Sequence, residues 1–162
     1  MDMEMLIQHY RDILAELSAA EAEYLLIGAF AVAKYVEPRT TGDIDLWVRP
    51  GPENAARVWR ALAAFGAPIS MLTPEELAKP GFFFQIGVAP VRIDLLTAID
   101  GVTFEEAWAE REFLNFEGLM VPVISRKHLV INKKATGRPK DLADVATLQG
   151  QAARKSAPRD DA

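Results

Sequence analysis

The amino-acid sequence predicts an α+β fold, a small mixed β-sheet flanked by helices, with further helices at the C-terminal end. Apolar residues recur every three or four positions in several segments, which is the spacing of amphipathic helices. Short apolar runs between them are typical of strands. With 162 residues and 50% hydrophobic content, the chain can bury one sizeable core, so we expect one domain over residues 1–150 and a flexible tail over residues 151–162.

Helices are predicted where the apolar repeat and its caps agree. The first apolar stripe consists of Leu6, Tyr10, Ile13, Leu14 and Leu17, and its helix ends near Ala20. Further helices are expected over residues 29–35, 53–65 and 104–111, and after Pro74, Ser125 and Pro139. Glycine or proline follows most of these segments, which indicates where each helix stops.

Strands are predicted over residues 24–27, 43–48, 82–86 and 91–96, with two short strands within 113–124. Gly28 indicates a tight turn between the first strand and the next helix. A short turn rich in glycine and proline joins the segments 82–86 and 91–96, which predicts a hairpin.

The composition excludes several classes of function. The chain has no cysteine, which excludes disulfide scaffolds, thiolate metal sites and cysteine nucleophiles, and we expect a cytoplasmic setting. No apolar run reaches bilayer length, so no membrane association is expected. A formal net charge of −5 argues against a surface that is basic throughout.

Residues 125–140 form a locally basic segment that contains no acidic residue. Its cations are Arg126, Lys127, Lys133, Lys134, Arg138 and Lys140. The first two are interpreted as the solvated face of a helix, whereas the last four flank a glycine-proline break and are candidates for binding a triphosphate or an RNA backbone. Asp141 and Asp144 are interpreted as acids at the start of a helix.

Three aspartates are the candidates for catalysis. Alternate side chains of a strand share a face, so Asp43 and Asp45 point the same way, about 6.6 Å apart. Asp94 lies in an apolar strand, where an ionised carboxylate needs a partner. A divalent cation relieves the repulsion among such groups, and a ligand set made only of oxygens favours magnesium, with two ions expected. Gly28 would let the backbone approach a phosphate.

Each of these features also has a structural interpretation. Asp-x-Asp pairs occur on solvated strand faces, and Arg92 is an alternative partner for Asp94, although we expect regular strand geometry to point it to the other side. Arg39 and Thr40 are either solvated loop residues or contacts to phosphate. Trp47 is either a core residue or the border of a base-binding pocket.

The motifs Ile27-Gly28-Ala29, Arg39-Thr40-Thr41-Gly42-Asp43-Ile44-Asp45-Leu46 and Ile93-Asp94-Leu95 resemble the signature of the DNA polymerase beta-type nucleotidyltransferase superfamily. Within it, the chain is similar to small bacterial proteins related to abortive-infection nucleotidyltransferase toxins and to antibiotic nucleotidyltransferases. The resemblance spans residues 24–96, and the later segment 133–144 is also similar to the first of these groups.

The resemblance implies a nucleotidyltransferase-like mixed sheet in which the turn at Gly28 and Ala29 holds the triphosphate. It implies that Asp43 and Asp45 are ligands of both ions, while Asp94 binds the second ion and helps to deprotonate the acceptor. Ala29 stands where family members usually have glycine or serine, so this chain keeps the backbone N–H and lacks a hydroxyl.

We therefore expect a magnesium-dependent enzyme that moves a nucleoside monophosphate from a nucleoside triphosphate, ATP among the candidates, to a hydroxyl of RNA, protein or a small molecule. An antibiotic nucleotidyltransferase is one alternative. The other is a non-catalytic nucleotide-binding or toxin-antitoxin partner module of the same fold. Candidate partners are an antitoxin and a second copy of the chain.

Overall fold

Six strands form one mixed sheet in a computed structural model that describes residues 3–36, 43–88 and 91–156. The strands are β1 (Tyr24–Ile27), β2 (Asp43–Val48), β3 (Phe83–Ile86), β4 (Arg92–Leu96), β5 (Glu112–Phe116) and β6 (Leu119–Val123). Their order across the sheet is β3-β4-β2-β1-β6-β5. The three strands that carry the aspartates and the glycine turn, β4, β2 and β1, are therefore neighbours near the middle of the sheet.

The pairing directions explain how residues distant in sequence meet. The β2 strand pairs antiparallel with β1 and parallel with β4, while β3 and β4 form the expected antiparallel hairpin. The β5 and β6 strands form a second hairpin, and β6 pairs parallel with β1. The mixed sheet predicted from the sequence is confirmed.

Seven helices surround the sheet within the described residues. They are α1 (Met3–Ala19), α2 (Gly28–Tyr35), α3 (Pro52–Phe65), α4 (Pro74–Ala78), α5 (Phe104–Ala109), α6 (Arg126–Thr136) and α7 (Pro139–Ser156). The α3 helix packs against α1 and α4, whereas α6 and α7 pack against each other and both contact α2. None of the described helices has the length and apolar character needed to cross a membrane.

Local sequence signals fix the ends of several helices. Thr73 and Thr103 each begin a helix with a capping box, and the Ser125 hydroxyl accepts a hydrogen bond from the first turn of α6. Gly66 and Gly137 end α3 and α6 in the left-handed conformation that favours glycine. These residues explain why the predicted limits of the helices agree closely with the structure.

The core confirms the helical stripe predicted for α1, because its four innermost residues are fully buried: Tyr10, Ile13, Leu14 and Leu17. Trp47 is 1% exposed and packs edge-on against Phe104, with ring centroids 5.1 Å apart. Of the two interpretations of Trp47, the core residue is therefore correct. The rings stabilise the end of β2 away from the aspartates.

The structure adds two features that the sequence had not indicated. A single 3-10 turn covers Ile69–Met71 after α3. The α7 helix continues to Ser156, six residues beyond position 150, where the domain was predicted to end. The domain limits themselves stay a prediction.

Candidate active site

The register of the sheet places two of the three aspartates side by side. Asp45 of β2 lies directly opposite Asp94 of β4 in the parallel pair, and Ile27, the last residue of β1, lies opposite Asp45 on the other side. Asp43 precedes Asp45 by two positions and so shares its face. Three carboxylates from two strands therefore occupy one region of the sheet beside the turn that follows β1.

Asp94 is the most enclosed of the three and is held from two directions. It is 5% exposed. Its Oδ1 atom accepts hydrogen bonds from Nε2 of Gln85 at 3.1 Å and from Nε of Arg92 at 3.3 Å. Its Oδ2 atom accepts one from Nη2 of Arg92 at 3.2 Å. The buried charge is thus paired and hydrogen-bonded, as buried charges require.

Arg92 also reaches Asp43, with 3.7 Å between Nε of the arginine and Oδ2 of the aspartate. The expectation that Arg92 points to the other side of the strand is wrong. Residues two positions apart in a strand share a face, so Arg92 and Asp94 project together from β4. One guanidinium therefore bridges the outer and the inner carboxylate.

Asp45 carries the clearest electrostatic perturbation in the site. Burial, followed by the charge of Asp94, a hydrogen bond with Asp94 and the charge of Asp43, raises the pKa of Asp45 to about 7, while Arg92 acts in the opposite direction. A shift of this kind is the signature of two carboxylates that cannot both ionise cheaply at short range. Burial and the neighbouring carboxylates therefore favour the protonated form of Asp45 when no cation is bound.

Gly28 makes the turn between β1 and α2 directly against Asp45. Its φ of +71° is one that residues with a side chain rarely adopt. A Cβ atom added at Gly28 would lie 2.1 Å from Oδ2 of Asp45, which is inside van der Waals contact. Glycine is therefore required twice here, for the backbone conformation and for the space that the carboxylate occupies.

The start of α2 offers backbone donors close to these carboxylates. Ile27 is the N-cap residue, and its side chain makes no hydrogen bond to the first N–H groups of the helix. Such groups attract anions. Ala29 is the second residue of α2, and its predicted part in holding a triphosphate stays a prediction.

A cleft of about 430 Å³ opens in front of this turn. The end of β1, Asp45, Leu96 and the loop over residues 98–100 line one side, and α6 and the start of α7 line the other. The C-terminal helices therefore close one side of a cleft that Asp45 lines, as predicted, whereas Asp43 and Asp94 are not among its lining residues.

The far wall of the cleft contains a compact charged network. Lys133 is 7% exposed, and its Nζ atom lies 3.1 Å from Oδ1 of Asp141 and 3.0 Å from Oδ2 of Asp144. Oδ2 of Asp141 also accepts hydrogen bonds from Thr136 and Arg138, at 2.6 and 2.7 Å. Asp141 and Asp144 are thus ion-pair partners of Lys133, and their interpretation as simple acids of a helix start is incomplete.

These contacts determine the charge state of Asp141. Burial alone would raise its pKa, but the hydrogen bonds from Thr136, Arg138 and Lys133, together with the charge of Lys133, outweigh burial and lower the pKa to about 2. Asp141 is therefore ionised at neutral pH, and its contacts join α6 to α7 in the wall of the cleft.

The six predicted basic residues have different surroundings. Lys127 is exposed, in agreement with its interpretation as part of a solvated helix face. The same interpretation is wrong for Arg126, which is half-buried because its Nη2 donates a hydrogen bond to the backbone carbonyl of Tyr35 at 3.0 Å and its guanidinium lies over the Tyr35 ring.

The remaining four cations differ in whether they reach the cleft. Lys133 and Arg138 line the cleft, while Lys134 and Lys140 are exposed and are not among its lining residues. Arg39 and Thr40 lie outside the described residues. The nucleotide-binding role given to these residues stays a prediction, and for Lys133 it would have to be compatible with its two aspartate partners.

Sequence reasoning missed Gln85, Asn132 and Thr136. Gln85 contacts Asp94 because β3 pairs with β4, and the hairpin that was predicted could have indicated it once the register was known. Asn132 and Thr136 line the cleft from α6. Thr136 lies three positions after Lys133 and four positions after Asn132, so helical spacing was the available signal for grouping these side chains.

The donor set of the site fits a hard divalent cation such as Mg²⁺. All three candidate ligands are carboxylates, and a bound cation would offset both the burial and the neighbouring negative charges that raise the pKa of Asp45. Within the described part of the chain, however, no three acidic or histidine side chains are already arranged as a metal site. Asp94 is engaged by Arg92 in the same structure.

Comparison with known proteins agrees with this architecture. No family model and no curated protein sequence matches the chain. A candidate nucleotidyltransferase from Thermotoga maritima is similar in structure, with a TM-score of 0.57 and 15% identity over 95% of this chain and 96% of that one. The antibiotic-resistance factor ANT(2'')-Ia has a TM-score of 0.60 and 16% identity over 96% of this chain and 86% of that one.

A third similar structure is the lincosamide antibiotic adenylyltransferase LnuA, with a TM-score of 0.55 and 14% identity over 89% of this chain and 96% of that one. At these identities, similarity shows the fold. The chain has the nucleotidyltransferase fold, and the fold class predicted from the sequence is confirmed. The narrower resemblance to abortive-infection proteins stays a prediction.

Gly28→Ala is expected to destabilise the protein for two reasons, the contact with Asp45 and the left-handed backbone at this position. The added methyl group must displace Asp45, and the left-handed backbone costs about 1–2 kcal/mol by itself. Gly118→Ala is the matched control, because Gly118 has a φ of +85° and nothing within 4 Å of an added Cβ. Urea denaturation should show a larger loss of unfolding free energy for Gly28→Ala, and equal losses would contradict the close approach.

The pKa of Asp45 predicts how the stability of the metal-free protein depends on pH. Between about pH 4 and pH 7 the folded protein holds a proton that the unfolded chain has released, so stability falls as the pH rises. At about 1.4 kcal/mol for each pKa unit, we expect a loss on the order of 4 kcal/mol over this range. Asp141 affects stability only at lower pH. Because its pKa is lowered to about 2, the stability that it contributes is lost as the pH falls from about 4 toward 2.

The measurement is urea denaturation in the presence of a chelator at several pH values. Asp45→Asn cannot ionise and should remove most of the dependence between pH 4 and pH 7. An unchanged slope in that variant would assign the dependence to other groups.

Proposed function

We propose that this chain is a magnesium-dependent nucleotidyltransferase that transfers a nucleoside monophosphate from a nucleoside triphosphate to a hydroxyl, with release of pyrophosphate. The observation that carries the proposal is the register of Asp45 with Asp94 beside the Gly28 turn, at the edge of a cleft of about 430 Å³. The nucleotidyltransferase fold supports the same reaction class. Glycine at position 28 leaves room for the Asp45 carboxylate, as a site that gathers acids around an ion requires.

Asp43, Asp45 and Asp94 would hold the magnesium, with two ions proposed. When bound, magnesium supplies positive charge against the triphosphate and the developing negative charge of phosphoryl transfer. Asp43 is the outermost ligand, with a side chain 41% exposed, and Asp94 the innermost. The three ligands therefore span from solvent to the interior of the sheet.

The chain's own residues would position the substrate. The backbone N–H groups at the start of α2, including that of Ala29, would bind triphosphate oxygens. Arg138 lines the opposite wall and, being 74% exposed at its side chain, can turn toward a phosphate. Asp94 would accept the proton of the acceptor hydroxyl once the acceptor lies beside it.

The acceptor is proposed as a hydroxyl of RNA, protein or a small molecule. The small-molecule alternative is favoured by two structures of similar fold, LnuA with lincomycin bound and ANT(2'')-Ia with adenylyl-2''-tobramycin. An antibiotic-like acceptor is therefore the second candidate. Incubation of the protein with each labelled triphosphate, first with a cell extract and then with candidate antibiotics, would identify which molecule acquires the label.

Asp43→Asn and Asp45→Asn are expected to abolish magnesium-dependent transfer while preserving the fold. Each change removes a negative charge that the ion needs, and we expect a loss of about a hundredfold or more, similar to the loss of one group that stabilises charge in a transition state. Asp12→Asn on the exposed surface of α1 is the matched control.

Transfer can be followed with the labelled triphosphate, and binding by calorimetry with magnesium present. Magnesium-dependent binding without transfer by the unmodified protein would instead support the non-catalytic module, on its own or with an antitoxin partner. Transfer retained by both active-site variants would remove the proposed mechanism.

A further inference from the structure

We propose that Arg92 is a built-in cation that occupies the innermost carboxylate of the site, competes with divalent ions for it and has to leave it when the ions bind. The inference deepens the proposed function and rests on its metal site. Its basis is the contact of one guanidinium with two of the three proposed ligands, Asp94 and Asp43.

The contact with Asp94 is two-pronged. Nε and Nη2 of Arg92 approach the two carboxylate oxygens at 3.3 and 3.2 Å, so both oxygens accept a charged donor. Gln85 adds a third donor to Oδ1 at 3.1 Å. An ion that binds Asp94 needs oxygen lone pairs that these donors now use, and it would stand close to a like charge.

Arg92 is the partner that can move. Its side chain is 39% exposed, whereas that of Asp94 is 8% exposed and is also anchored by β3 through Gln85. An arginine stays charged at every pH at which proteins fold, so proton loss cannot release it. Release requires that the guanidinium swing toward solvent, and a bound ion supplies the charge that replaces it.

The position of Arg92 also explains why no three acidic side chains among the described residues are already arranged to hold a metal ion. Asp45 and Asp94 are in register, but Arg92 takes the place of a counter-ion on the inner carboxylate. In the protein without ions, Arg92 thus offsets part of the repulsion among the aspartates. The same contact lowers the affinity of the site for metal.

The test is a titration of the metal-free protein with Mn²⁺ alone, followed by electron paramagnetic resonance of the free ion, with no nucleotide present. Arg92→Gln should bind Mn²⁺ at least about tenfold more tightly than the unmodified protein, because one nearby positive charge is gone. Arg57→Gln removes the same charge from α3, where Nη1 of Arg57 donates a hydrogen bond to the backbone carbonyl of Glu21, and should leave the affinity unchanged.

Arg92→Lys separates charge from geometry. Lysine keeps the positive charge but cannot make bidentate hydrogen bonds to both carboxylate oxygens. The affinity of Arg92→Lys for Mn²⁺ should therefore lie between those of the unmodified protein and Arg92→Gln. Circular dichroism checks the fold of each variant. If Arg92→Gln does not fold, the comparison of Arg92→Lys with the unmodified protein decides, and the lysine variant must bind Mn²⁺ more tightly.

The outcomes distinguish this inference from the proposed function. Equal or weaker Mn²⁺ binding by the Arg92 variants overturns the competing role of Arg92, while Mn²⁺ binding by the unmodified protein that is lost in Asp45→Asn leaves the proposed function in place. Absence of Mn²⁺ binding in every variant overturns both. Tighter binding in Arg92→Gln, with Arg57→Gln unchanged, supports the inference.

Discussion

Two carboxylates placed side by side in neighbouring strands are the constraint on which this site depends. Asp45 and Asp94 meet in the parallel register of β2 and β4, and their repulsion must be offset by a proton, a cation or both. Two neighbouring residues accommodate these acids. Gly28 leaves room for one acid, and Arg92 pairs with the other.

The charged network behind the cleft shows that the basic segment is less cationic than its sequence indicates. Lys133 is neutralised by Asp141 and Asp144, which follow it by eight and eleven positions, and Asp141 also pairs with Arg138. The network stabilises the corner between α6 and α7 and so fixes the wall of the cleft. Fewer charges remain for a polyanion than the count of lysines and arginines suggests.

Much of the fold could be predicted because local signals were strong. The alternation of acidic and apolar residues at the start of the segment 43–48 indicated that Asp43 and Asp45 share one face of a strand. Capping residues such as Thr103 and Gly137 indicated where helices begin and end. The contacts of Arg92 and Lys133 could not be predicted in the same way. They depend on which strands pair and how two helices pack, and those long-range choices leave no local pattern in a single sequence.

A crystal structure with Mn²⁺ and a non-hydrolysable nucleoside triphosphate, in which anomalous scattering locates the ions, tests the proposed metal site most directly. Anomalous peaks are expected about 2.1 Å from carboxylate oxygens of Asp43 and Asp45, one of them also bound to Asp94, with the triphosphate against the Gly28 turn. Ions and triphosphate bound elsewhere, with the three aspartates touching neither, would contradict the proposed site.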